Sequence, residues 1–144
     1  MPRREASETV PFTPEQMYDL VVDMASYSQF LPWCVKARKF DETPQQFIAE
    51  MTIAFKGLRE TFQTVDSVIP GREVTIRLKS GPFRALESQW RFTPLDEGTR
   101  IDFYIDFQFR NPILEMTLGP VFSAASKQMV EAFRQRAHAL YNRS

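Results

Sequence analysis

Apolar and polar residues change period twice along the chain. Residues 13–24 follow a helical period, with Met17, Leu20 and Val21 on one stripe. Thr13 and Gln16 form a Thr-x-x-Gln capping box, Pro14 suits the first helical position, and Phe12 and Met17 occupy the two positions of a hydrophobic staple. From residue 34 to 109 the period becomes two, predicting strands at 34–41, 46–55, 59–69, 72–80, 85–94 and 99–109. Pro70-Gly71, Ser80-Gly81-Pro82 and Asp96-Glu97-Gly98 supply turns between them. The later strands alternate most cleanly. Val74, Ile76 and Leu78 oppose Glu73, Thr75, Arg77 and Lys79; Leu86, Ser88, Trp90 and Phe92 oppose Glu87, Gln89 and Arg91. Ile101, Phe103, Ile105, Phe107 and Phe109 oppose Asp102, Tyr104, Asp106 and Gln108. Such alternation predicts an antiparallel sheet with one buried and one wet face, its strands pairing in sequence order.

Residues 112–142 return to a helical period, with Leu118, Phe122, Ala125, Met129, Phe133, Ala137 and Leu140 on one stripe. Gly119-Pro120 falls inside it and predicts a kink or a restart. Residues 3–10 are a weaker strand. Residues 25–34 read as a short helical turn or tight loop halted at Pro32, crowded with Tyr27, Phe30, Leu31 and Trp33. One long helix must therefore cover a six- or seven-stranded sheet. A twisted sheet does this by curling around the helix, so the expected fold is α+β. A gap between the two would be walled by Phe, Ile, Leu, Val, Met and Trp. The inward aromatics suit a filled core as well as a cavity.

Composition narrows the chemistry. The 144 residues carry 18 basic and 18 acidic side chains, 13 Phe, one Cys and one His. One cysteine and one histidine exclude an internal disulfide, multi-cysteine zinc sites and paired-histidine metal centres. Zero net charge argues against a DNA binder working by counterion release. With no secretory leader pattern and no membrane-length apolar run, a cytoplasmic, reducing location is expected.

The segment Tyr-Ser-Gln-Phe-Leu-Pro-Trp-Cys, from Tyr27 to Cys34, resembles a motif of the coenzyme Q-binding protein family, within the START-like and polyketide cyclase-like superfamily. Supporting matches are Ser80-Gly-Pro-Phe83 with Leu86 and Trp90-Arg-Phe92, then Asp106-Phe-Gln-Phe109 leading into Asn111-Pro112, and finally the run from Met129 to Arg136. They run in order over the whole chain. The resemblance implies one helix-grip domain over residues 1–144, its curved sheet wrapped around the C-terminal helix with short helices after the first strand. It implies a hydrophobic tunnel that binds ubiquinone or a similar prenyl lipid, without catalysis and without a further cofactor, in support of respiratory electron transfer. Transient contact with the inner membrane or with respiratory complexes would follow. The superfamily also holds ribosome association toxins, so binding the large ribosomal subunit is the alternative. An aromatase or cyclase is a third reading, and it requires polar groups deep in the tunnel.

On that reading the ligand-binding residues are Phe30, Leu31, Pro32, Trp33, Phe55, Phe83, Leu86, Trp90, Phe103, Phe107, Leu118, Val121, Phe122, Met129 and Phe133. Phe83 is expected as an exposed tip at the mouth. Residues 113–126 carry one charge, Glu115, which suggests the entrance. Cys34 is expected as a small buried hydrophobe, and His138 on a solvent-facing side of the last helix. Asp102 and Asp106 lie on the wet face. Lys36, Arg38 and Lys39 form a small basic cluster, which is usual for a plain solvated face and would alternatively meet anionic lipid or ribosomal RNA.

Overall fold

Seven strands form one antiparallel sheet in the computed structural model, which describes residues 3–141 except Lys56, with Phe55 in its backbone alone. Strand β1 spans Arg3–Val10, followed by helix α1 (Pro14–Val22), a 3-10 turn (Met24–Ser26) and helix α2 (Tyr27–Phe30). Then come β2 (Cys34–Phe40), β3 (Gln46–Phe55), β4 (Leu58–Ile69), β5 (Glu73–Ser80), β6 (Phe83–Leu95), β7 (Gly98–Phe109) and helix α3 (Pro112–Tyr141). The spatial order is β1-β7-β6-β5-β4-β3-β2. This is the START-like, helix-grip arrangement, with α3 on the concave face.

Pairing in sequence order holds from β2 to β7 and fails at β1. Strand β1 joins β7 instead, with Arg3 opposite Asp106 and Val10 opposite Thr99. The reason is the pair of short helices, which carry the chain from one sheet edge to the other before β2 begins. The start of α1 is fixed locally: Thr13 Oγ1 accepts from the Gln16 amide at 3.1 Å, while Gln16 Oε1 accepts from the Thr13 amide at 2.9 Å. Phe12 and Met17 are both buried. Gly98 has φ 146°, and a Cβ there would overlap the Val10 carbonyl oxygen. Only glycine lets the β6–β7 turn pass this close to the end of β1.

The predicted alternation is realised on β7, where Ile101, Phe103, Ile105, Phe107 and Phe109 are all buried. Phe83 departs from its expectation as an exposed tip, being 4% exposed. A register shift between Phe83 and Ala85 puts Phe83 on the same side as Leu86, which strict alternation forbids. Its ring stacks on Phe109 at 4.7 Å and meets Phe62 and Phe122 edge-on, both at 5.2 Å.

Of the expected kink or restart at Gly119-Pro120, the restart does not occur: α3 is one helix from Pro112 to Tyr141. Pro120 lies on the exposed side of the helix. Its missing N–H deprives the Met116 carbonyl of a partner where solvent can replace it, so the helix continues. Leu118 and Gly119 face the sheet and are buried, as are Phe122, Ala125, Val130, Phe133 and Ala137 further along. Phe133 is fully buried, ringed by Tyr27, Phe30 and Trp90 at 5.0–5.3 Å. Rings at this spacing add about 0.5–1.5 kcal/mol per pair beyond burial.

Candidate ligand-binding cavity

Between the concave face of the sheet and α3 lies a cavity of about 80 Å³. Its wall draws on β3 to β7 and α3, with Val21, Met24 and Tyr27 closing the end beneath α1 and α2. Of the residues expected to bind a ligand, Trp33, Leu86, Trp90, Phe103, Phe122, Met129 and Phe133 stand in this wall. Leu31, Phe83, Phe107 and Leu118 are buried in the surrounding core, and Phe30 packs against it. Pro32 and Val121 line a separate surface groove with Trp33. The side chain of Phe55 lies outside the described residues.

That groove, about 800 Å³, runs between the segment before β2, the β3–β4 hairpin and the first half of α3. Among the described residues, no charged side chain lines it. Trp33 and Ala125 belong to both the groove and the inner cavity, so these two side chains form the partition between them. Near the groove, Ile113 and Met116 of α3 are 73% and 78% exposed. Water-facing apolar side chains thus cluster at the charge-poor stretch read as an entrance.

The cavity is mainly apolar, as the hydrophobic tunnel implied, but one acidic side chain stands in its wall. Asp66, 3% exposed, stands in the cavity wall beside Thr64. Thr64 donates to Asp66 Oδ1 at 2.6 Å. Burial pushes the carboxyl up to about 7, and the Thr64 hydrogen bond only partly offsets it. No other donor reaches the carboxyl among the described residues. The remaining hydroxyls in the wall are committed to the backbone. Ser88 donates to the Tyr104 carbonyl and Ser126 to the Phe122 carbonyl, both at 2.8 Å, and Tyr27 donates to the Val21 carbonyl. Among the described residues, no Lys, Arg or His lines the cavity. The sequence signal for Asp66 was its phase. Phe62, Thr64 and Asp66 share the buried face of β4, but that face is largely polar and the strand lacks apolar alternation.

Other candidate chemistry is quiet. Burial raises the Cys34 thiol to about 11, leaving it protonated and a poor nucleophile at neutral pH. Tyr27 is raised well above its usual value, by burial first and then by nearby Asp66 and Cys34. His138, expected to face solvent, is half-buried with its ring 4.9 Å from Phe12. The basic cluster is largely neutralised: Arg38 pairs with Glu50 at 2.9 Å and Lys39 with Glu42 at 3.3 Å. Asp102 and Asp106 lie on the outer sheet face, paired with Arg100 and Arg3, each at 3.0 Å. No cluster of three His, Cys, Asp or Glu suited to a metal occurs among the described residues. No described helix is long and apolar enough to cross a membrane.

Three similarities bear on this geometry. The chain is 39% identical over 143 residues to the ribosome association toxin RatA of Escherichia coli K12, spanning 99% of this chain and 90% of that protein. It is 32% identical over 142 residues to the mitochondrial coenzyme Q-binding protein COQ10 homolog B of Xenopus laevis, spanning 95% of this chain and 58% of that one. A START superfamily protein from Mycobacterium smegmatis superposes with a TM-score of 0.77 at 17% identity, covering 96% of this chain and 98% of its own, a likeness of fold alone. Residues 10–134, which include every residue lining the cavity, match the family described as polyketide cyclase / dehydrase and lipid transport, and the chain belongs to that family.

Proposed function

We propose that this protein binds and delivers a prenylated hydrophobic ligand of the ubiquinone class, acting as a carrier rather than a catalyst. The observation that carries this reading is a mainly apolar cavity separated from an uncharged groove only by Trp33 and Ala125. Burying an isoprenoid chain supplies about 0.8 kcal/mol per methylene, so affinity requires few polar contacts. At about 80 Å³ the cavity is smaller than the roughly 300–1,000 Å³ of ordinary ligand sites. Loading therefore requires Trp33 or the first half of α3 to move outward, joining cavity and groove. The coenzyme Q-binding name of the Xenopus relative supports this ligand class. Lipid extraction and mass spectrometry of protein purified from its native host should recover a quinone. Protein that carries none and takes none up in vitro would refute the reading.

A second reading, binding to the large ribosomal subunit, is favoured by the ribosome association name of the RatA relative, which is the more similar in sequence. The ion pairs at Arg38 and Lys39 weaken the patch that first suggested RNA contact. Sucrose-gradient profiles after overexpression discriminate: a loss of joined ribosomes supports this reading, and an unchanged profile removes it.

A further inference from the structure

We propose that Asp66 is the anchor for the ligand's polar head, and that it selects a neutral head bearing a carbonyl or hydroxyl oxygen over an anionic one. The inference rests on the lipid reading and specifies its chemistry.

Three observations carry it. Among the described residues, Asp66 is the only Asp, Glu, Lys, Arg or His in the cavity wall. A carboxylate or phosphate head buried here would meet a like charge or a neutral acid, with no cation to offset its desolvation. The other wall hydroxyls, on Tyr27, Ser88 and Ser126, already donate to backbone carbonyls. Asp66 itself accepts one hydrogen bond, from Thr64 at Oδ1, which leaves Oδ2 to engage a ligand. A protonated carboxyl donates to a ring carbonyl, and a carboxylate accepts from a ring hydroxyl. Either form suits an oxygenated neutral ring, and neither suits a free fatty acid or a phospholipid.

Asp66 also sets the direction of entry. It acts electrostatically on Tyr27 beneath the short helices and lies along β4 away from Leu58, which lines the groove beside Trp33 and Ala125. The head goes in first and the tail trails toward the groove.

The test uses delipidated full-length protein and three probes of matched tail length: a short-tailed 1,4-benzoquinone, a fatty acid and a prenyl hydrocarbon. Both tryptophans of the chain, Trp33 and Trp90, stand in the cavity wall, so intrinsic fluorescence reports binding directly. The wild type should prefer the quinone and bind the fatty acid worst. Asp66→Leu should bind the quinone about tenfold more weakly, retain the hydrocarbon, and discriminate less against the fatty acid, whose head still meets no cation. Asp66→Asn, which keeps a donor, should retain most quinone affinity and guards against a folding artefact in the leucine variant. Equal quinone binding by Asp66→Leu and wild type, or a wild type that accepts fatty acid as readily as quinone, would overturn the anchor alone. A wild type that binds none of the three probes would overturn the lipid reading itself.

Discussion

Asp66 makes the interior pH-sensitive in an unusual direction. Its carboxyl sits at about 7 in the folded chain, above its ordinary 3.8, so the folded state holds a proton that the unfolded chain releases. Stability attributable to this group is complete below about pH 4 and declines as pH rises toward 7. By pH 8 the loss amounts to about 4 kcal/mol, at about 1.4 kcal/mol for each pH unit that separates the folded and unfolded carboxyl. The titratable neighbours Tyr27 and Cys34 are both raised and stay neutral over this window. Asp66→Asn should therefore flatten the pH dependence of urea unfolding between pH 4 and 7 and be the more stable protein at pH 8. An unchanged slope would show that water reaches the carboxyl. Asp66 also marks the limit of reading from sequence. Trp90, Phe103 and Phe133 announced themselves by alternation or helical spacing, and all three reached the cavity wall. Asp66 did not, because an inward carboxyl breaks the apolar pattern by which inward positions are recognised.

The elements show the same division between local and tertiary causes. The capping box of α1 lies within four residues, and the structure reproduces it bond for bond. Thr13→Ala should accordingly cost about 1 kcal/mol, read from the thermal midpoint. Strand identities in β5 to β7 were equally local. Phe83 was misjudged because a bulge reverses phase without any mark in composition. Pro120 does not end α3 because its effect depends on which side of the helix meets solvent, a fact fixed only when the helix docks. Pro120→Ala restores an amide donor to the turn above Met116 and should stabilise the protein by up to about 3 kcal/mol in urea titrations. A destabilised variant would mean that the proline ring holds the groove in shape.

At the scale of the whole molecule, the partition between cavity and groove is the feature on which the proposed lipid loading depends. Ala125 faces both spaces, whereas Ala124 lines only the groove. Ala125→Phe should fill the junction at a cost of about 1–3 kcal/mol and abolish co-purifying lipid, with Ala124→Phe leaving the bound lipid in place. Loss of lipid from both variants would point to the groove rather than the passage. The pairing of β1 with β7 bears on how the molecule is made. Arg3 and Asp106, joined across the sheet at 3.0 Å, lie 103 residues apart in the chain. Closing a loop of that length costs about 4 kcal/mol in chain entropy before any contact compensates it. Synthesis delivers β1 first and its partner strand last, so a growing chain carries an unsatisfied edge strand through most of its elongation. The cavity thus comes into being only after β7 and α3 have both been released.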